Sequence, residues 1–306
     1  MTLYILRRTA MLIPVLLGVT LLTFCIAKLT PGDPAVVMLG EHATPERVAE
    51  LREQLGLNRP LLVQYGRYVW NVAHGDLGTS IRGKTPVLGE ILARFPSTLQ
   101  LTVAAMLIAT VGGVALGTLA ALTRSKMVNG ATMVAAFVGI AIPDFFLATL
   151  LIILFGIKLR WVQVAGGEGL KGLILPAFAL AIANMAVIAR LTRSNILEVI
   201  RQDHVRTARA KGLSNRAVIY RHVLRNAMIP VVTVIGLQFA GLLSGAVFIE
   251  SVFARPGIGR FAVNAIAARD YPQVQGVVLF VAVIYVVLNL FVDVLYAVLD
   301  PRIRYS

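Results

Sequence analysis

Six stretches of the chain are apolar for long enough to cross a bilayer as helices, which takes about 20 predominantly apolar residues each. They run from about Thr9 to Leu29, Ser97 to Leu122, Asn129 to Ile157, Gly172 to Ala189, Ala227 to Ile249 and Val274 to Leu299. The second and fifth carry no charge before their flanks, whereas the third holds Asp144 and the sixth holds Asp293. Residues 30–96 form the one sizeable polar piece. Within it Thr44 is placed to cap a helix, Pro45 suits the first helical position, and Val48, Leu51 and Leu55 recur at helical spacing up to Gly56. Gly113-x-x-x-Gly117 and Gly241-x-x-x-Gly245 allow close helix approach, inside the chain or at a seam with another subunit.

The pattern predicts an all-α integral membrane protein of six transmembrane helices with a small extracytoplasmic domain after the first. The expected boundaries are 1–29 for the first span, 30–96 for the outer domain, 97–299 for a five-helix core carrying a cytoplasmic loop at 194–226, and 300–306 for the tail. Basic residues set the orientation. Arg7 and Arg8, then Arg124 and Lys126, then eight cations from Arg193 to Arg225, then Arg302 and Arg304 all fall on one side of six spans. Both termini are therefore expected in the cytoplasm. The opposite loops also carry cations (Lys158, Arg160, Lys171, Arg255, Arg260, Arg269), so the asymmetry rests mainly on the fourth-to-fifth loop.

Composition agrees with lipid as the solvent. Of 306 residues 58% are hydrophobic and 14% charged, whereas a soluble domain has about a quarter charged. The net charge of +14 would suggest nucleic acid in a soluble protein, but here too little soluble surface remains to bind it. The single cysteine, Cys25, excludes an intrachain disulfide. The first apolar run is long for a signal peptide and has no small-residue exit, so an uncleaved helix is expected. Phe24 before Cys25 argues against lipoprotein cleavage.

Gly78-Thr-Ser-Ile-Arg-Gly83-Lys84-Thr85 fits the phosphate-loop pattern, but that chemistry needs a strand before the loop and a helix N-terminus receiving the phosphates. Asn71–Leu77 does not read as a strand and Pro86 follows at once, so the match is expected to be chance. Intramembrane proteolysis needs a nucleophile with a base, or metal ligands, inside the bundle. His42, His74, His204 and His222 all lie outside the runs, and Ser244 has no evident partner. The loop 194–226 reads as two helices broken at Gly212, with Ser214 capping the second and Leu213 and Val218 placed as a hydrophobic staple. An amphipathic helix resting on lipid and a rigid knob for a partner's groove both fit this spacing.

Val205-Arg-Thr-Ala-Arg-Ala-Lys-Gly-Leu-Ser214 followed by His222-Val-Leu-Arg-Asn-Ala-Met-Ile-Pro230 resembles the loop of permeases in bacterial binding-protein-dependent ABC importers. The resemblance is to the peptide branch, which includes dipeptide, oligopeptide, glutathione and nickel systems. It extends along the chain through Thr30-Pro-Gly-Asp-Pro34, Gly75-Asp-Leu-Gly-Thr-Ser80, Arg255-Pro-Gly-Ile-Gly-Arg260, Arg269-Asp-Tyr-Pro272 and Val292-Asp-Val-Leu-Tyr296 to Asp300-Pro-Arg-Ile-Arg304. Arg206-Thr207-Ala208 replaces the wider family's Glu-Ala-Ala, and Arg225 stands where it has proline; both are typical of the peptide branch. The resemblance implies a non-catalytic permease for short peptides in the bacterial inner membrane. The implied partners are a second permease in a heterodimer, two ATPase subunits that hold ATP and magnesium, and an extracytoplasmic substrate-binding protein. It assigns ATPase coupling to Thr207, Ala208, Arg209, Ala210, Lys211, Gly212, Leu213 and Ser214. This chain is expected to bind no cofactor or metal itself.

Polar groups inside spans are costly and mark functional candidates. Asp144, Asn184, Gln238, Glu250 and Asn289 are the candidates for a translocation path. Pro143-Asp144 interrupts the third run, and a broken helix exposes polar backbone to a cavity. The structural alternatives are a local cap or ion pair for Asp144 and interhelical hydrogen bonds for Asn184 and Gln238. Asp293, near the cytoplasmic end, suits a structural ion pair. A nickel or metal-chelate permease, a stand-alone secondary transporter and a non-transporting scaffold are the competing functions.

Overall fold

The computed structural model describes residues 2–29, 33–40, 43–123, 125–162, 169 and 171–299. Residues 30–32 of the first loop motif, His42, Arg124, and the tail with Arg302 and Arg304 lie outside the described residues.

The described chain is helical throughout, and its one extended pairing is an isolated bridge between Thr79 and Pro86. In order the helices are α1 (Thr2–Leu29), α2 (Pro34–Leu39), α3 (Pro45–Gln54), α4 (Leu61–Ala73), α5 (Val87–Leu122), α6 (Lys126–Ala141) and α7 (Asp144–Leu151). A π-helical segment, Ile152–Lys158, extends α7. Then come α8 (Lys171–Val199), α9 (Asp203–Ala210), α10 (Asn215–Ala217), a second π segment (Val218–Leu224), α11 (Arg225–Gly245), α12 (Val247–Val252), α13 (Ile258–Ala267) and α14 (Tyr271–Leu299).

Among the described residues five helices are long and apolar enough to cross a membrane: Arg8–Ile26, Val87–Leu122, Gly172–Val199, Asn215–Leu243 and Tyr271–Leu295. The expected third span is instead two helices, Asn129–Ala141 and Asp144–Lys158, bent by 102°. The count is therefore five, or six if the bent pair forms one span. Pro143 causes the break: it supplies no N–H to the preceding turn and pushes the residue before it out of helical geometry. Its own backbone is extended, at φ −61° and ψ 136°.

The chain divides into two compact units, the first made of Met1–Pro96 with Arg260–Val286. Here α3 begins and ends as its sequence predicts. The Thr44 hydroxyl accepts from Arg47 N, and Gly56 takes a φ of +68°. Gly56 N donates to Glu53 O and Leu57 N to Arg52 O, which satisfies the helix's last carbonyls. Helix α4 packs on α1. Tyr65 Oη donates to Leu17 O at 3.1 Å and shares a 3.0 Å hydrogen bond with Thr20, while Tyr68 Oη lies 3.2 Å from Thr23 Oγ1. Burial pushes the Tyr68 phenol above its ordinary pKa, outweighing the opposite effect of the Thr23 bond, so it stays protonated at neutral pH.

The turn before α5 hangs on a buried carboxylate. Asp270 is 1% exposed; its Oδ2 accepts from Ser80 Oγ at 2.6 Å and from Arg82 N at 3.3 Å, and its Oδ1 accepts from Gln273 N at the start of α14. Ser80 Oγ in turn accepts from Gly83 N. The phosphate-loop look-alike is thus a turn folded around Ser80, with no strand feeding it. Gly276 lets α14 approach α5, because a Cβ there would sit 2.5 Å from Val87 Cγ1.

The second unit is Ser97–Gly259 with Val287–Ser306. Helix α8 is its centre, flanked by α6, α7, α11 and α12. A core of Leu101, Ala105, Leu180, Ile188, Val231 and Ile249 fills the space between helices. In lipid such packing relies on close fit rather than on exclusion of water. Gly113 and Gly117 provide it within the chain: a Cβ on Gly117 would stand 2.4 Å from Ala189 O, and one on Gly113 2.8 Å from Ile188 Cβ. Gly241 has nothing within 4 Å of its would-be Cβ. Several helices run past their expected ends, α5 among them, starting at Val87 rather than Ser97. Helix α8 continues ten residues beyond Ala189 to Val199, and the fifth span begins at Asn215 rather than Ala227.

Candidate functional site

Much of the loop expected at 194–226 is continuous with the helices on either side, and the projecting part is α9 with its turn. Helix α9 is amphipathic. Val205 and Ala208 are buried against Ile196, Val199, Val218, Val223 and Ala227, which roots the helix on its own unit. Its end is fixed by backbone geometry. Gly212 has φ +75°, Gly212 N donates to Arg209 O, and Leu213 N donates to Ala208 O. This left-handed exit is strained for any residue with a Cβ. Ser214 Oγ then accepts from Ala217 N and starts the next helix. The expected elbow is therefore present, with Ser214 as its cap. Leu213 is 43% exposed and Val218 fully buried.

Of the eight residues assigned to coupling, Ala208 is core and Thr207, Arg209, Ala210, Lys211, Gly212, Leu213 and Ser214 are exposed. Thr207 Oγ1 donates back to Asp203 O. Arg206 pairs with Asp203 at 3.6 Å, both largely in solvent, a contact worth little by itself. Asn226 donates to His222 O at 2.8 Å and sits 3.3 Å from His204 Nε2, joining the two arms of the elbow. Sequence reasoning missed these partners. The elbow thus presents an apolar tip flanked by Arg209 and Lys211 on a buried base.

The five candidates for a path are not gathered by hydrogen bonds. Asp144 is half-buried at the first position of α7, where a negative charge suits the helix dipole. Among the described residues it neither caps the break nor forms an ion pair. For Asn184 the alternative of an interhelical bond is not what the structure has: its Nδ2 donates to Leu180 O in its own helix at 3.0 Å. Gln238 Oε1 is buried without a hydrogen-bond partner among the described residues. Asn289 is half-buried in α14.

Glu250 is wholly buried, and its carboxylate holds the loop between α12 and α13. Oε1 accepts from Thr98 Oγ1, and Oε2 accepts from Gly259 N at 2.8 Å. Thr98 Oγ1 accepts from Ile258 N at 2.9 Å. Gly257 and Gly259 make room, since a Cβ on Gly257 would lie 2.1 Å from Glu250 Oε1. Arg255 reaches Gly172 O and Ser97 Oγ; burial holds its guanidinium below the usual pKa, while the Glu250 charge pulls it back up. The signal in the sequence was Gly257-x-Gly259, two glycines in one short loop.

Comparison with known proteins places this geometry in context. The family described as "Binding-protein-dependent transport system inner membrane component" matches residues 113–305, and the N-terminal family of such membrane components matches residues 1–102. The dipeptide transport system permease protein DppB of Alkalihalophilus pseudofirmus is 44% identical over 99% of both chains. A putative peptide transport system permease protein of Brucella abortus is 44% identical over 100% of both, and DppB of Escherichia coli is 43% identical over 99% of both. Among solved structures, an amino acid ABC transporter aligns with TM-score 0.52 at 19% identity, covering 70% of this chain and 94% of that one. The inward-facing MetNI methionine ABC transporter aligns with TM-score 0.57 at 17% identity, covering 69% and 96%. At such identities these two likenesses concern the fold alone. The chain belongs to the family of binding-protein-dependent transport system inner membrane components, as a multi-pass permease that closely matches peptide ABC importer permeases.

Proposed function

We propose that this chain forms half of the translocation path of an ATP-driven importer of short peptides and couples that path to ATPase subunits through α9 and its turn. The similarity to dipeptide permeases over the whole length of both chains supports the substrate class. The observation that carries the coupling role is the elbow: an exposed Leu213 beside Arg209 and Lys211, set on a buried base and fixed by Gly212. A rigid projection transmits a partner's movement, whereas a pliant one absorbs it. In this reading both termini and α9 are cytoplasmic and residues 30–96 face outward. A second permease completes the path, two ATPases supply the energy and a binding protein delivers cargo. Asp144, Asn184, Gln238 and Asn289 are the groups proposed to line the path, and Glu250 to shape its outer loop.

The test is reconstitution in proteoliposomes with the neighbouring permease, ATPases and binding protein, measuring ATP-dependent uptake of a labelled dipeptide. Gly212→Pro, which imposes a negative φ where +75° is needed, is expected to abolish uptake while the complex still assembles. ATPase stimulation by a nickel chelate or glutathione, without dipeptide uptake, would replace the substrate. Uptake that needs neither ATP nor the ATPases would refute the proposal.

A further inference from the structure

A cavity of about 390 Å³ lies within the first unit, walled by Phe24 and Lys28 of α1, the α3–α4 turn, α4, and the first turn of α14. Its size is that of a small-ligand site. Among the described residues three cations line it, Lys28, Arg59 and Arg67, and no carboxylate does. The two arginines converge: a Cβ on Gly56 would lie 3.4 Å from Arg67 Nη1 and 4.0 Å from Arg59 Nε. Neither guanidinium has an ion pair among the described residues. Lys28 Nζ donates to Gln64 Oε1 at 2.6 Å, a neutral partner, and nearby Asp33 is taken by Arg52 at 2.6 Å. Two arginines drawn together over one glycine, with no ion pair to either among the described residues, suit an anion. The lining also includes the apolar side chains of Phe24, Met38 and Val63.

We propose that this cavity holds the phosphate headgroup of an anionic phospholipid, with Arg59 and Arg67 on the phosphate and an acyl chain along α1. The position selects a lipid over a soluble anion. Lys28 stands two residues beyond Ile26, the end of the first membrane-spanning stretch, so the cavity is at headgroup depth on whichever face that end emerges. Only 11% of that stretch is buried, leaving α1 open to lipid, and Trp70 on α4 is 66% exposed, as interfacial tryptophans are. Helix α4 then serves as an interfacial helix that seats a lipid against the first span.

The assembled importer, purified in detergent, would be titrated with phosphatidylglycerol or phosphatidylcholine and its lipid adducts read by native mass spectrometry. Phosphatidylglycerol is expected to bind selectively. Arg59→Gln with Arg67→Gln should weaken it roughly thirtyfold, from the contribution of two basic residues at a lipid surface. Arg59→Lys with Arg67→Lys should retain most of the binding, and Arg47→Gln on exposed α3 all of it. Equal binding of the two lipids, or unchanged phosphatidylglycerol binding in the double glutamine variant, would overturn the proposal. Inorganic phosphate or dipeptide binding that the double variant loses, with no lipid effect, would assign the cations to a soluble anion instead. The readout is independent of transport, so it stands apart from the proposed function.

Discussion

Replacing Glu250 tests whether one buried carboxylate holds the loop between α12 and α13. In Glu250→Ala the Thr98 hydroxyl and Gly259 N–H both lose their acceptor in a site closed to solvent. Hydrogen bonds to a charged group contribute about 1.5–3 kcal/mol each, so the loss should be about 3–6 kcal/mol, before the void left by the side chain is counted. Glu250→Gln keeps the shape, but its amide presents one acceptor to two donors, and the cost falls to about 1–3 kcal/mol. The measurement is the midpoint of heat-induced loss of monodisperse protein in detergent, with the rate of proteolysis within residues 254–258 as a local readout. The expected order is parent, then glutamine, then alanine. Thr98→Val should lower the midpoint alone, yet add little to Glu250→Ala, because both break one network. Equal midpoints for parent and alanine variant, or strict additivity with Thr98→Val, would refute the reasoning.

Gly117→Leu should prevent the close approach of α5 and α8, since even its Cβ would stand 2.4 Å from Ala189 O; the cost is about 1–3 kcal/mol or more, read as lost monodisperse expression. Ser80→Ala removes the buried bond to Asp270 and should destabilise the turn before α5 by about 1–3 kcal/mol, seen as faster proteolysis at 82–85. Lys84→Ala, at the lysine of the phosphate-loop look-alike, should leave ATP-driven uptake unchanged; its loss would reopen nucleotide binding by this chain.

Where a local rule acted alone, the fold was legible. Thr44, Pro45 and Gly56 bound α3, and Gly212 and Ser214 set the elbow, because caps and left-handed exits are decided by a few adjacent residues. Length was less legible. Helix α5 starts at Val87, ten residues before the apolar run, because Val87 and Ile91 are buried at 0% by neighbours distant in sequence. Helix α4 escaped notice for a similar reason: Tyr65 and Tyr68 are explained by Thr20 and Thr23, some 45 residues earlier. The bent third span lies between these cases. Pro143 announced a break, but the angle of 102° comes from how α6 and α7 each pack on α8.

The polar groups divide by whether their partners are close in sequence. Glu250 was read as a path candidate and Asp270 only as part of the Arg269-Asp-Tyr-Pro272 motif, and each proves to be the fixed point of a loop. Their partners, Thr98 and Ser80, lie more than 150 residues away. Each carboxylate accepts both a hydroxyl and a backbone N–H, so each spends its charge on holding the chain together. Asp144 has no such claim on it among the described residues: it stands at a helix start created by Pro143, half-buried and unbonded. A carboxylate kept at a break in a membrane helix without a structural partner is costly to maintain. That cost makes Asp144, more than Glu250, the carboxylate to substitute first in testing the proposed path.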